Sequence, residues 1–208
     1  MFAAVGVTAV SSVVTMRFGL PLIANNPSLF YVVIFGALGL AIFTQVRAFS
    51  LSPATSAVLL FTYATLIGFT VTPLVVFALN VNPMSIVQAF FIAAAMFGCM
   101  AMFGYKTVKD LSFMGAFLFI GMIGLILTGI ASMIWPLGST IMTVVSAIAV
   151  LVFALFTAYN MQFLKNAYAN ANKDARTESQ LAVLGALHMY ISFIAMFQNI
   201  LFLLNNRS

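Results

Sequence analysis

The chain alternates between long apolar stretches and short polar interruptions. Apolar runs lie near residues 2–24, 28–46, 54–79, 84–105, 111–134, 138–164 and 179–204. Each suits the roughly 20 residues that a helix needs to cross a bilayer. Between them stand turn-forming groups: Asn25-Asn26-Pro27, Ser50 to Pro53, Asn80 to Pro83, Lys106 to Asp110, and Trp135-Pro136-Leu137-Gly138. The longest connector, KNAYANANKDARTE at 165–178, is the strongly hydrophilic stretch. Lipid offers the backbone no hydrogen-bonding partner, so runs of this length are predicted to be helices, and the short alternating strands of a barrel are not seen. The expectation is an all-α polytopic membrane protein, a single domain of seven transmembrane helices over residues 1–208. Arg17 follows the first run and no basic segment precedes it, so that run reads as a retained helix rather than a cleaved signal. Beside a relative with a cytosolic N-terminal tail, a start directly at the first helix reads as shortened.

Composition agrees with the pattern. Hydrophobic residues make up 64% of the 208 and charged residues 5%, against about a quarter charged in soluble domains. Such a chain has too little polar surface to face water. The few cations carry a topology signal: Arg47, Lys106, Lys109, Lys165, Lys173 and Arg176 fall in or beside the connectors after spans two, four and six, whereas Arg17 and Arg207 belong to the other side. Six against two predicts that those three connectors and the N-terminus are cytoplasmic and the C-terminus lies opposite. The net charge of +5 is thereby explained by topology, and without a basic patch interleaved with aromatics it does not point to nucleic acid.

Familiar enzyme chemistry is missing. The sequence has no CxxC, HExxH or phosphate-loop ending and no serine-nucleophile motif, so the protein is expected not to be an enzyme and to need no cofactor or resident metal. Cys99, the single cysteine, is expected to be a small buried apolar group. The stripe GLILTG at 124–129 is expected to pack closely against another helix.

Polar residues inside the spans hold the remaining chemistry. Positions three, four and seven apart share a helix face, which puts Gly185, His188, Ser192, Ala195 and Asn199 on one side of the seventh span. Leu184, Leu187, Ile191, Ile194 and Phe202 lie on the others. Lipid cannot hydrogen-bond the polar face, so it is predicted to turn into the bundle, with the seventh helix central. The sixth span has a matching face of Ser146, Phe153, Thr157 and Asn160, with Gln162 beside it. These groups can tie helices together, line a polar transport path or form a partner surface. His188 can be a proton sensor or a neutral ring bonded across the bundle, and the lack of an acidic partner favours the latter. Arg17 and Arg47 lie near span ends and can snorkel to the headgroups, and Arg47 can also reach inward toward Asn160. Asp110 precedes the fifth span and can cap its first turn.

Five segments, TYATLIGFTVTPL (62–74), KDLSFMGAFLF (109–119), PLGSTIM (136–142), FTAYNMQFLK (156–165) and ALHMYISFIAMFQNILFLL (186–204), together resemble the Bax inhibitor family of seven-span membrane proteins, in order and spacing. The resemblance implies residence in a bacterial inner membrane or a eukaryotic organelle membrane. It implies one of two activities: a pH-gated calcium leak, or regulation of other membrane proteins, including a bacterial branch that restrains a membrane-bound protease. In leak-like members the sixth span carries Tyr-Asp and the seventh an aspartate after Tyr-Leu. These acids share a proton and are held closed with an arginine near the end of the second span. The resemblance matches these positions to Asn160 after Tyr159, Ser192 after Tyr190-Ile191, and Arg47.

Both acids are therefore absent. Close carboxylates sense pH because they cannot both ionise cheaply, and Asn and Ser do not titrate in that range. Asp110, Asp174 and Glu178 are the only acids in the chain, all in or beside connectors. No embedded carboxylate is present to attract Ca2+, which prefers anionic oxygens, so Ca2+ enters only as a transported ion. With both acids absent, the resemblance implies in the first place a non-enzymatic regulator, tied to stress regulation, that binds another integral membrane protein such as a membrane protease. A pH-modulated calcium or cation leak is the alternative. Compact loops favour a bacterial inner membrane, and a monomer is favoured.

Overall fold

The computed structural model describes residues 1–47, 52–135, 137–170 and 175–206, with the side chains of residues 20, 22, 24, 27, 175 and 176 left aside. Ser50, Pro136, Lys173, Asp174, Arg207 and the Arg176 side chain, all used above, lie outside the described residues. The elements run α1 (Phe2–Val14), a π-helical turn (Thr15–Gly19), α2 (Leu20–Asn25), α3 (Pro27–Val46), α4 (Pro53–Val81), α5 (Met84–Lys106), α6 (Ser112–Ile134), α7 (Ser139–Asn170) and α8 (Ala175–Asn205). Among the described residues, seven helical stretches are long and apolar enough to cross a membrane, the first being Phe2–Gly19.

Two boundaries differ from the hydropathy pattern. The first run is interrupted by the π turn, where Gly19 lies so close to Thr15 that a Cβ would come within 2.5 Å of the threonine methyl. The connector 165–178 is largely helical, because α7 continues to Asn170 and α8 begins at Ala175. Hydropathy marks where a helix leaves the apolar layer, but its backbone ladder can continue into water. Pro53 starts α4, where a first-turn residue needs no amide proton, and Pro73 lies within it. Thr70 and Thr72 beside Pro73 donate to the carbonyls of Ile67 and Gly68 at 3.0 and 2.7 Å.

The helices divide into two compact units. In the first, Met1–Phe77 with Ala167–Tyr190, α1 lies against α4 at Gly68, where a Cβ would come within 2.6 Å of the Thr8 carbonyl oxygen. Hydroxyls join these helices: Ser12 bonds Thr72 at 3.1 Å, Ser11 donates to the Thr65 carbonyl at 2.8 Å, and Thr8 bonds the Tyr190 hydroxyl of α8 at 2.5 Å. In the second unit, Ala78–Asn166 with Ile191–Ser208, α5 meets α7 at Gly104 and Ala158, and Gly115 of α6 faces the Tyr159 ring. Phe193 packs edge-on against Phe90 and Phe97, with centroids 5.7 and 5.8 Å apart.

The expected packing of the 124–129 stripe is not found, since a Cβ at Gly124 or Gly129 would meet nothing within 4 Å. Gly124 and Gly129 look outward from α6, a helix with 6% of its span buried, whereas α8 has 56% buried. Cys99 is exposed rather than buried, and because lipid accepts an apolar thiol, nothing drives it inside.

Candidate functional site: polar groups of the last two helices

Thr157, Asn160 and Ser192 are fully buried or nearly so, and together with Asn199 they belong to the second unit. Their bonding differs from a set of cross-helix ties. Thr157 donates to the Phe153 carbonyl at 2.8 Å and Asn199 to the Ala195 carbonyl at 2.8 Å, each one turn back along its own helix. The Asn160 Nδ2 and Ser192 Oγ atoms have no hydrogen-bond partner among the described residues. No hydrogen bond therefore joins the two positions matched to the acid pair. An amide donates two protons and a hydroxyl both donates and accepts, so each retains capacity for a polar visitor while carrying no charge.

His188 and Arg47 belong to the first unit. His188 is half-buried, and its Nδ1 makes no hydrogen bond among the described residues. Arg47 is exposed at the C-terminal end of α3, its amide donating to the Phe43 carbonyl at 3.0 Å. Helix α8 is buried on more than its polar face: Leu184, Leu187 and Ile194 are as enclosed as Ser192 and Gly185.

Polar ties between elements are made by other residues. Gln162 is buried and accepts the Leu111 amide proton at 2.8 Å while donating to the Lys109 carbonyl at 2.8 Å, so one side chain holds the α5–α6 connector against α7. Ser85 donates to Asn205 Oδ1 at 3.0 Å, linking α5 to the end of α8. The hydroxyls Thr8, Ser11 and Ser12 of α1 share a helical spacing visible in sequence, but their partners on α4, the Ala64 and Thr65 carbonyls and the Thr72 hydroxyl, leave no mark there. Asp110 Oδ1 accepts the amide proton of Ser112, the first residue of α6, at 2.9 Å. The side-chain and backbone hydrogen bonds from Ser112 hold this exposed carboxyl below its ordinary range. Among the described residues, no three His, Cys, Asp or Glu side chains gather in a group that could hold a metal.

A family model described as "Inhibitor of apoptosis-promoting Bax1" matches residues 1–208. Inner membrane protein YbhL of Escherichia coli (strain K12) is 34% identical over 177 residues, covering 84% of this chain and 73% of its own. An uncharacterized protein of Caulobacter vibrioides is 33% identical over 179 residues, covering 86% and 70%. The uncharacterized protein RP147 of Rickettsia prowazekii is 31% identical over 176 residues, covering 85% and 72%.

Proposed function

This chain belongs to the Bax inhibitor family of membrane proteins, and from that premise we propose that it is a regulator that binds another integral membrane protein, with a membrane protease as the candidate class. The protein is non-catalytic, as its family is. The observation that carries the regulator reading is the pair Asn160 and Ser192, buried, uncharged and not bonded to each other. A carboxylate pair would attract a divalent cation and titrate, whereas an amide and a hydroxyl do neither. Two buried sites that cannot change charge suit a constitutive fold presented to a partner better than a proton-operated gate.

The surrounding proposal is a single membrane domain over residues 1–208 with α8 central in its bundle, supported by the high buried share of that helix. The distribution of cations supports a cytoplasmic N-terminus and a C-terminus on the opposite side. The similarity to an inner membrane protein of E. coli supports a bacterial inner membrane, and a monomer is the assembly proposed.

A pH-modulated calcium or cation leak is the second reading, favoured by the unpartnered Asn160 Nδ2, Ser192 Oγ and His188 Nδ1 atoms. Calcium flux into proteoliposomes at pH 6 and pH 8 separates the two. The regulator reading expects background flux at both values and pH-dependent flux only after Asn160→Asp with Ser192→Asp restores the acids. Robust pH-dependent flux through the unaltered protein refutes it. If such flux survives unchanged in His188→Gln, the imidazole is not its sensor.

A further inference from the structure

Between the end of α5 and the start of α6, the connector forms a groove with α7 lined by Thr107, Val108, Asp110, Gln162, Lys165 and Asn166. Its shape follows from Gln162, whose two bonds pin residues 109 and 111 to α7. Three residues along α7, the Lys165 ammonium donates to the Tyr105 carbonyl at 2.9 Å and sits 5.5 Å above the centre of the Tyr105 ring. That places a positive charge at the groove wall, and of its three protons one is engaged by the carbonyl. Among the described residues Lys165 makes no ion pair.

Lys106 and Lys109 flank the groove and are exposed. The acid in its lining, Asp110, has an oxygen committed to the Ser112 amide. Three ammonium groups against one carboxylate leave an excess of two positive charges. Lys106 ends one membrane-length helix and Ser112 begins the next, and the ends of spanning helices meet the headgroup layer. Val108 and Phe113, 98% and 79% exposed, offer apolar surface beside it.

We infer that this groove binds the phosphodiester of an anionic phospholipid headgroup, with Lys165 as the fixed contact and Lys106 and Lys109 as flanking charges. Thr107 and Asn166 add a hydroxyl and an amide that can donate to phosphate oxygens. Basic pockets at the ends of membrane helices recognise headgroups through this chemistry. A soluble phosphate would find the same cations, but it would make no use of the apolar side chains alongside. The inference rests on the groove and is independent of whether the protein regulates a partner or leaks cations. A topology signal needs only positive charge on one side of the membrane, whereas a headgroup site depends on the particular lysine held against Tyr105.

Native mass spectrometry of the full chain in detergent, with short-chain phosphatidylglycerol or phosphatidylcholine added, tests the site. Phosphatidylglycerol is expected to bind in preference, with affinity lowered about fivefold in Lys165→Gln, as for loss of one interfacial cation, and largely kept in Lys165→Arg. Asp110→Asn is expected to raise it, and Arg17→Gln to leave it unchanged. Should Lys165→Gln fail to fold, Lys106→Gln with Lys109→Gln removes two exposed charges and is expected to weaken binding more than fivefold. Equal retention of the two lipids, wild-type binding by Lys165→Gln or by the Lys106→Gln, Lys109→Gln double variant, or displacement of the lipid by an equal concentration of glycerol phosphate would overturn the inference.

Discussion

Gly98 and Gly104 lie in the same helix, two turns apart, yet replacing each by alanine should have opposite effects. In α5 either substitution removes a glycine from a helix, a gain of up to about 1 kcal/mol from backbone entropy. At Gly98 the added methyl meets nothing within 4 Å, so that gain stands. At Gly104 the Cβ would lie 2.8 Å from both Cα and carbonyl carbon of Ala158, and closer still to its carbonyl oxygen. Ordinary contact begins near 3.4 Å, and the obstacle is backbone, which cannot rotate aside. Helices α5 and α7 must therefore separate by more than half an ångström along the contact, loosening their shared packing. Overpacking of this kind costs about 1–3 kcal/mol, enough to outweigh the entropic gain. Unfolding in mixed micelles by increasing SDS, followed by circular dichroism, should show Gly104→Ala less stable than wild type by roughly 1–2 kcal/mol and Gly98→Ala equal or more stable. If both variants shift the midpoint in the same direction by the same amount, the close approach of α5 to α7 is wrong.

Other substitutions probe different links. Gln162→Leu should strand the amide of buried Leu111 at a cost of about 1–3 kcal/mol. Faster hydrogen exchange at residues 109–112 would report it, and unchanged protection would show that the clamp holds nothing. Tyr190→Phe removes one bond from Thr8, whose single proton still has the Ala4 and Ala64 carbonyls as acceptors, so it should cost only about 0.6 kcal/mol. Thr8→Val leaves the buried Tyr190 hydroxyl without its partner and should cost more in the same SDS titration; the reverse order would contradict the network. Ser112 lowers the Asp110 pKa from 3.8, so this carboxylate's stabilisation is complete above about pH 4 and fades as pH falls through the lower folded value. Asp110→Asn should therefore show a shallower stability loss below pH 4 in an acid titration.

What sequence revealed depended on which solvent was doing the selecting. Lipid forces a backbone to satisfy itself, so the spans were readable from run length, and the polar rows of the sixth and seventh spans from helical spacing. In a soluble protein an apolar side chain implies burial, but in a membrane it suits lipid equally well. Cys99 and the glycines at 124 and 129 illustrate the loss: sequence assigned them to packed positions, and they face outward. Leu184 and Leu187, assigned to the side opposite the polar row, are enclosed for the same reason. Gln162 was visible as a polar residue beside the α7 face, but its partners are main-chain groups of a connector, which look alike in any sequence. The local bond of Asp110 joins residues only two positions apart, although Leu111 rather than Asp110 occupies the N-cap of α6.

The bond between Thr8 and Tyr190 spans 182 positions in the chain. During synthesis the first helix must enter the bilayer long before its partner emerges from the ribosome. Thr8 carries a way to wait, since its hydroxyl also reaches the Ala4 carbonyl at 3.0 Å within α1. The hydroxyl can stay satisfied while alone in lipid and extend its bonding when the last helix arrives, making insertion of the two ends separable from their assembly.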